Sequence, residues 1–157
     1  MKKLCLFIAA MAFGLMVAPS HAGDWVVAGG VTFDQRMGNP GVGFLMGQEY
    51  LVDKDLDIMV RVLYAKNNWS DTVQVNLDHF QAQIGKYWQI SDKRNIRIAP
   101  HLSMDFYDGA NNNLGGAVGG EIRGNIIPAV DLFVAGDAIL RPGNNFFLIH
   151  CGVIFKM

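Results

Sequence analysis

From residue 23 onward, apolar and polar residues alternate with a period of two, and clusters of Gly, Asn, Asp and Pro interrupt the alternation. Eight segments carry it: Trp25 to Phe33, Val42 to Val52, Leu56 to Lys66, Val73 to Ile90, Ile96 to Tyr107, Gly116 to Ile127, Val130 to Arg141, and Phe146 to Phe155. None has a helical period, and no run of 18 apolar residues follows residue 23, so the pattern predicts strands. The connections alternate in length. Those at 53–55, 91–95 and 128–129 are short, whereas 34–41, 67–72 and 108–115 are longer and rich in turn residues. The last, 142–145, is short but falls where a longer one is expected. An up-and-down antiparallel arrangement with both termini at the short-turn end produces such alternation. The fourth segment is long and changes phase near Asp78-His79, which predicts a bulge there or a strand rising above the rest.

Side chains two apart on a strand share a face. In the third, fifth, sixth, seventh and eighth segments Asp57, Arg61, Arg97, His101, Asp105, Glu121, Arg123, Asp131, Asp137, Arg141 and His150 fall on the face opposite the main apolar row. In the second, Glu49 opposes Val42, Phe44, Met46 and Gln48. Two barrels fit this division, a soluble one with an apolar lumen and a membrane one turned inside out. Aromatic placement separates them. Trp25, Tyr50, Trp88 and Phe155 lie near the short-turn end of the apolar face, and Phe33, Tyr64, Phe106 and Phe147 near the long-loop end. A lipid-facing barrel places aromatic rings at both interfaces. The expectation is therefore an all-β fold, an eight-stranded antiparallel up-and-down transmembrane β-barrel after a cleaved signal peptide.

The N-terminus supplies that peptide. Lys2 and Lys3 precede an apolar run from Leu4 to Ala18, and Ser20 and Ala22 are the small residues of a cleavage site before Gly23. The expected organisation is a signal peptide over 1–22 and a barrel over 23–157. After cleavage Cys151 is the one cysteine left, which excludes disulfide scaffolds and cysteine-rich zinc sites, and His79, His101 and His150 lack a ligand spacing. No cofactor and no metal is expected. With 13 basic and 14 acidic residues the chain lacks the footprint of a nucleic-acid binder. The mean hydropathy of +0.21 is too high for disorder.

The final residues, His150-Cys151-Gly152-Val153-Ile154-Phe155-Lys156-Met157, resemble the C-terminal assembly signal of bacterial outer-membrane barrels: a polar residue, Gly two positions on, and apolar residues five and seven on. Met157 stands where that signal has an aromatic. Taken with the leader, the eight strands and the two aromatic girdles, the chain resembles the small outer-membrane barrels of the OmpX, OmpA-barrel, OmpW and opacity-protein group, and the YfaZ-type predicted porins are a further comparison. The resemblance implies an outer-membrane location, termini in the periplasm, long loops outside, and a structural or surface-interaction role without chemistry. It implies outer-membrane lipid, lipopolysaccharide and the barrel-assembly machinery as partners, the last through the C-terminal strand.

If the polar face is the lumen, Arg61, Arg97, His101, Asp105, Glu121, Arg123, Asp137, Arg141 and His150 share it, with Glu49 a further candidate. An eight-stranded interior is just wide enough for side chains to fill, so these residues predict an ion-pair and hydrogen-bond plug in place of a conducting pore. Two rivals belong to other classes. His101-Leu102-Ser103 with Glu121 resembles the His-x-Ser and Glu of PagL-type lipid A deacylases, although Met104 stands where that family has Asn. A soluble lipocalin-like binder would have the two faces reversed.

Overall fold

A computed structural model describes residues 23–157 except 35–39, 54, 71–73, 93–94, 108–113 and 141–144. The expected leader, 1–22, and its cleavage site at Ser20 and Ala22 lie outside the described residues. The strands are β1 (Asp24–Asp34), β2 (Gly41–Asp53), β3 (Ile58–Ser70), β4 (Gln74–Lys86), β5 (Trp88–Ser91), β6 (Ile96–Tyr107), β7 (Leu114–Ile127), β8 (Val130–Leu140) and β9 (Phe146–Phe155). β4 and β5 are two parts of one stave interrupted at Tyr87, since both pair with β6, so the nine strands make eight staves. Every pairing is antiparallel, and β1 pairs with β9, which closes the barrel and leaves no free edge.

Register fixes the barrel's dimensions. Stepping across hydrogen-bonded partners from Asp24 leads through Glu49, Arg61, Gln83, Ser103, Ala117, Ile139 and Phe146 back to β1 at Asp34, ten residues further along. A shear of ten over eight staves tilts the strands by roughly 40° and sets a backbone radius of about 8 Å. Such a lumen has room for side chains and little else.

Alternation then sorts the two faces. Val27, Phe44, Leu102, Val118, Ile122, Val134 and Ile149 are exposed on the outside, while Glu49, Arg61, His79, Gln81, Asp105, Glu121, Arg123, Asp137 and His150 are buried within. The soluble alternative with an apolar lumen is overturned by this burial. Girdle residues take their expected ends: Trp25 is the cross-strand partner of Phe155, and Phe33 of Phe147. At the loop end the ring row continues over adjacent staves, with Phe44 6.1 Å from Tyr64, Tyr64 5.1 Å from Phe80, and Phe80 opposite Phe106.

Two local expectations are refined. Of the two outcomes expected near Asp78-His79 the bulge is absent, since pairing of β3 with β4 runs without a slip from Ile58 and Lys86 to Ser70 and Gln74, and the two strands instead extend past their neighbours at the loop end; the interruption is at Tyr87. That unbroken ladder also carries β3 through Asn67 and Asn68, so the connection expected at 67–72 is shortened, β3 ending at Ser70 and β4 beginning at Gln74. The cross-strand bonds of β3 and β4 outweigh the weak strand preference of Asn. Asp57, counted on the polar strand face, instead occupies the turn before β3 with a φ of 55°, a conformation that Asp tolerates.

Candidate functional site in the lumen

The polar lumen is built in three levels. At the short-turn end Arg61 on β3 is fully buried between two carboxylates. Its Nε donates to Glu49 Oε2 at 3.0 Å, its Nη1 to Glu121 Oε2 at 2.8 Å, and its Nη2 to Glu49 and, at 3.3 Å, to the Tyr87 hydroxyl. Arg123 on β7 closes the ring: Nη1 donates to Glu49 Oε1 at 2.6 Å and to the Tyr87 hydroxyl at 2.7 Å, and Nε pairs with Asp131. Lys156 Nζ lies 2.6 Å from Asp131 Oδ1, so the C-terminal residues are tied into the same network. Two arginines thus face two glutamates, and Asp131 is shared with a lysine. Charge is balanced where charge unpaired would be costly.

Tyr87 is the centre of this level. Its hydroxyl lies 2.8 Å from Glu49 Oε2 and 3.0 Å from Glu121 Oε1 and donates to one of them while accepting from both arginines. Arg123 and Arg97 stack over its ring at 5.1 and 5.8 Å. Arg97 is only half-buried and belongs to the rim, a correction to its expected place among the lumen ions.

In the middle level His101 Nε2 lies 2.6 Å from Asp137 Oδ1, directly over Gly119. A Cβ at position 119 would stand 2.0 Å from Asp137 Oδ1, 2.6 Å from His101 Nε2 and 2.7 Å from the Gly136 carbonyl, so the pair exists because residue 119 has no side chain. His150 Nδ1 is 3.6 Å from Asp137 Oδ2, an electrostatic neighbour beyond hydrogen-bond reach, and its ring meets Phe133 edge-on at 5.6 Å. Buried Gln83, whose Nε2 donates to Gln81 Oε1 at 3.3 Å, and Ser103 also face the lumen here, beside an apolar cluster of Val26, Ala28, Leu45, Leu63, Ala65, Phe133, Ala135 and Ile154.

At the loop end a line of four buried side chains crosses four staves. Thr32 Oγ1 donates to Asn67 Oδ1 at 2.7 Å, Asn67 Nδ2 lies 2.9 Å from His79 Nε2, and His79 Nδ1 lies 2.6 Å from Asp105 Oδ1. Phe146 covers the His79 ring edge-on at 6.1 Å.

Of the sequence-derived set, Arg61, His101, Asp105, Glu121, Arg123, Asp137 and His150 all project into the lumen, but onto three levels instead of one cluster. Arg141 lies outside the described residues. Glu49 is a hub, and Tyr87, His79, Asn67, Thr32 and Asp131 complete the networks. Tyr87 went unread because it stands where the fourth stave breaks. The phase of Glu49 against Val42 and Phe44 was the signal that placed it inside.

The hydrolase-like set is not assembled. His101 is engaged by Asp137, Glu121 by Arg61 and Tyr87, and the Ser103 hydroxyl is buried with no hydrogen-bond partner among the described residues. A nucleophile needs a base within hydrogen-bond reach and access to substrate, and Ser103 has neither here.

Outward apolar staves, two aromatic girdles, full closure and a buried ionic interior define the transmembrane β-barrel class. Solved structures agree at the level of fold. Neisserial surface protein A superposes with a TM-score of 0.62 at 13% identity, covering 87% of this chain and 98% of that one. Ail, the attachment invasion locus protein of Yersinia pestis, gives 0.56 at 12% identity over 86% of this chain and 99% of that one. A designed transmembrane β-barrel gives 0.57 at 17% identity over 88% and 98%. No protein-family model matches the sequence, and no curated protein matches it.

Proposed function

We propose that the chain is an integral outer-membrane barrel of the bacterial envelope, with a structural or surface-interaction role and a lumen plugged against solutes. The observation that carries the plug is the short-turn level. Glu49, Arg61, Tyr87, Glu121 and Arg123 come from four different staves, are buried, and bond to one another across an interior of about 8 Å backbone radius. An ion passing this level would have to part paired charges in a low-dielectric interior. Arg97 reaches the Tyr87 ring from the rim of the same polar face, and Arg141 is proposed to share the lumen with the other ionic residues. The likeness in fold to Neisserial surface protein A and to an attachment protein supports a surface role. Cleavage before Gly23, assembly through the C-terminal strand and contact with lipopolysaccharide belong to the same reading.

The test has two parts. Envelope fractionation followed by electrophoresis with and without heating is expected to recover the chain in the outer membrane with heat-dependent migration. Purified barrel in a planar bilayer is expected to produce no unitary conductance steps. Soluble recovery would overturn the location, and stepwise conductance at neutral pH would overturn the plug alone.

A further inference from the structure

The outward face differs between the two halves of the barrel. On β6, β7, β8 and β9 the outward rows carry no side-chain nitrogen or oxygen among the described residues. On the other half, hydrogen-bond donors stand near the short-turn end: Trp25 on β1, Gln48 and Tyr50 on β2, and Lys86 on β4. With a rise of about 3.3 Å per residue and a tilt of roughly 40°, each residue gains about 2.5 Å along the axis, and each step across the register about 3 Å. Gln48, Tyr50 and Lys86 then lie within about 5 Å of one another in height.

Between them a groove runs along β3. Its floor is Ile58, Val60 and Val62, which point outward yet are half-buried, because Gln48, Tyr50, Ile84 and Lys86 rise beside them. Register places Gln48 and Tyr50 on β2 against Val62 and Val60, and Ile84 and Lys86 on β4 against Val60 and Ile58. The flanking strands are about 10 Å apart, which leaves the width of a hydrocarbon chain between their side chains. At the loop end the row of Phe44, Tyr64 and Phe80 crosses β3 and closes the groove. From Ile58 to Tyr64 the floor spans about 15 Å, the depth of one leaflet of a hydrocarbon core about 30 Å thick.

We propose that this groove binds an anionic glycerophospholipid of the short-turn leaflet: one acyl chain lies on Val60 and Val62 with its end at Tyr64, and phosphate and ester oxygens accept from Lys86 and Gln48. Charge complementarity selects this occupant. Lys86 is exposed and has no ion-pair partner among the described residues. The exposed Trp88 and Ile90 continue its row toward the short-turn end, so the ammonium stands within the apolar face and draws its counter-ion from the lipid. Its stem lies along that row while the amino group reaches the headgroups. Gln48 Oε1 accepts from the Tyr50 hydroxyl, so Gln48 Nε2 and Lys86 Nζ present donors alone, the complement of phosphate and ester oxygens.

The inference rests on the membrane reading, and the experiment separates the two. Single-tryptophan barrels, with Trp25, Trp69 and Trp88 changed to Phe, carry either Ile84→Trp at the groove or Val134→Trp on β8. Each is placed in mixed vesicles of phosphatidylcholine and phosphatidylglycerol with one or the other lipid brominated in its acyl chains, and the two quenching levels give the relative affinity. At position 84 phosphatidylglycerol is expected to be favoured about fivefold, the effect of one lysine at an anionic surface, and at position 134 not at all. Lys86→Gln is expected to bring position 84 to parity. Val60→Phe, which keeps the lysine but fills the floor, is expected to do the same. Parity at position 84 with Lys86 and Val60 in place, or a preference that survives Val60→Phe, would overturn the inference and leave the barrel in the membrane. Shielding of position 84 from both brominated lipids would assign the groove to protein contact and also overturn it. Absence of bromolipid quenching at position 134 would overturn the membrane reading itself. Met46→Trp, on the facing wall, repeats the test should Ile84→Trp fail to fold.

Discussion

Replacing Arg61 by methionine keeps most of the side-chain volume and removes the charge that sits between Glu49 and Glu121. The guanidinium is fully buried and donates four hydrogen bonds, two of them to Glu49, one to Glu121 and one to Tyr87. Glu49 keeps Arg123 and Tyr87, but Glu121 is left with the Tyr87 hydroxyl alone among the described partners. A carboxylate stranded in this way costs about 3–5 kcal/mol, roughly a hundred- to several-thousand-fold in the folding equilibrium. Adding Glu121→Gln removes the stranded charge, and the double variant is expected to recover more than half of the loss, because an uncharged, well-packed replacement of a buried pair is often near neutral. Urea unfolding of the barrel in phospholipid vesicles, followed by tryptophan fluorescence, measures both. A loss below about 1 kcal/mol for Arg61→Met would refute the reasoning, since it would mean that water already solvates the glutamates and that the level is not a plug.

Other outcomes follow from the same geometry. Gly119→Ala places a Cβ into the His101 and Asp137 pair and against the Gly136 carbonyl, and is expected to lower stability by about 2–4 kcal/mol in the same unfolding assay; an unchanged midpoint would contradict the cradle. Val134→Arg introduces a charge at the outward face of β8 and is expected to cost about 2–4 kcal/mol in vesicles, whereas a barrel bathed in water would tolerate it. Cys151 also points outward, between Val134 and Gly29, so a water-soluble maleimide is expected to label it only after unfolding, and rapid labelling of the inserted barrel would place that face in water. Ser103→Ala is expected to leave lipid A acylation unchanged when the chain is expressed in a host that lacks a deacylase; a change traced to this residue would reopen the hydrolase reading.

Alternation and turn chemistry alone specified the strand number, the antiparallel order and which residues share a face, because a period of two has one structural solution along a strand. They did not specify which face lies inside in the middle of the chain. Aromatic placement did, and the burial of Arg61, Asp137 and His150 opposite exposed Val134 and Ile149 agrees with it. Strand ends were less legible. Asn67 and Asn68 read as loop residues, yet the ladder between β3 and β4 extends through them, since cross-strand bonding outweighs their weak local preference.

Who meets whom across the lumen was decided by the tertiary structure. Glu49 and Glu121 converge on Arg61 although 12 and 60 residues separate them from it in the chain. That meeting depends on the shear of ten residues, which sets the relative height of every stave and is a property of the closed barrel. The same closure brought His101 to Asp137 instead of Ser103 and placed Tyr87 at the centre of the ionic level from a break between strands. A strand's own pattern determines the side on which a residue points; only the register around the whole circumference determines what it finds there.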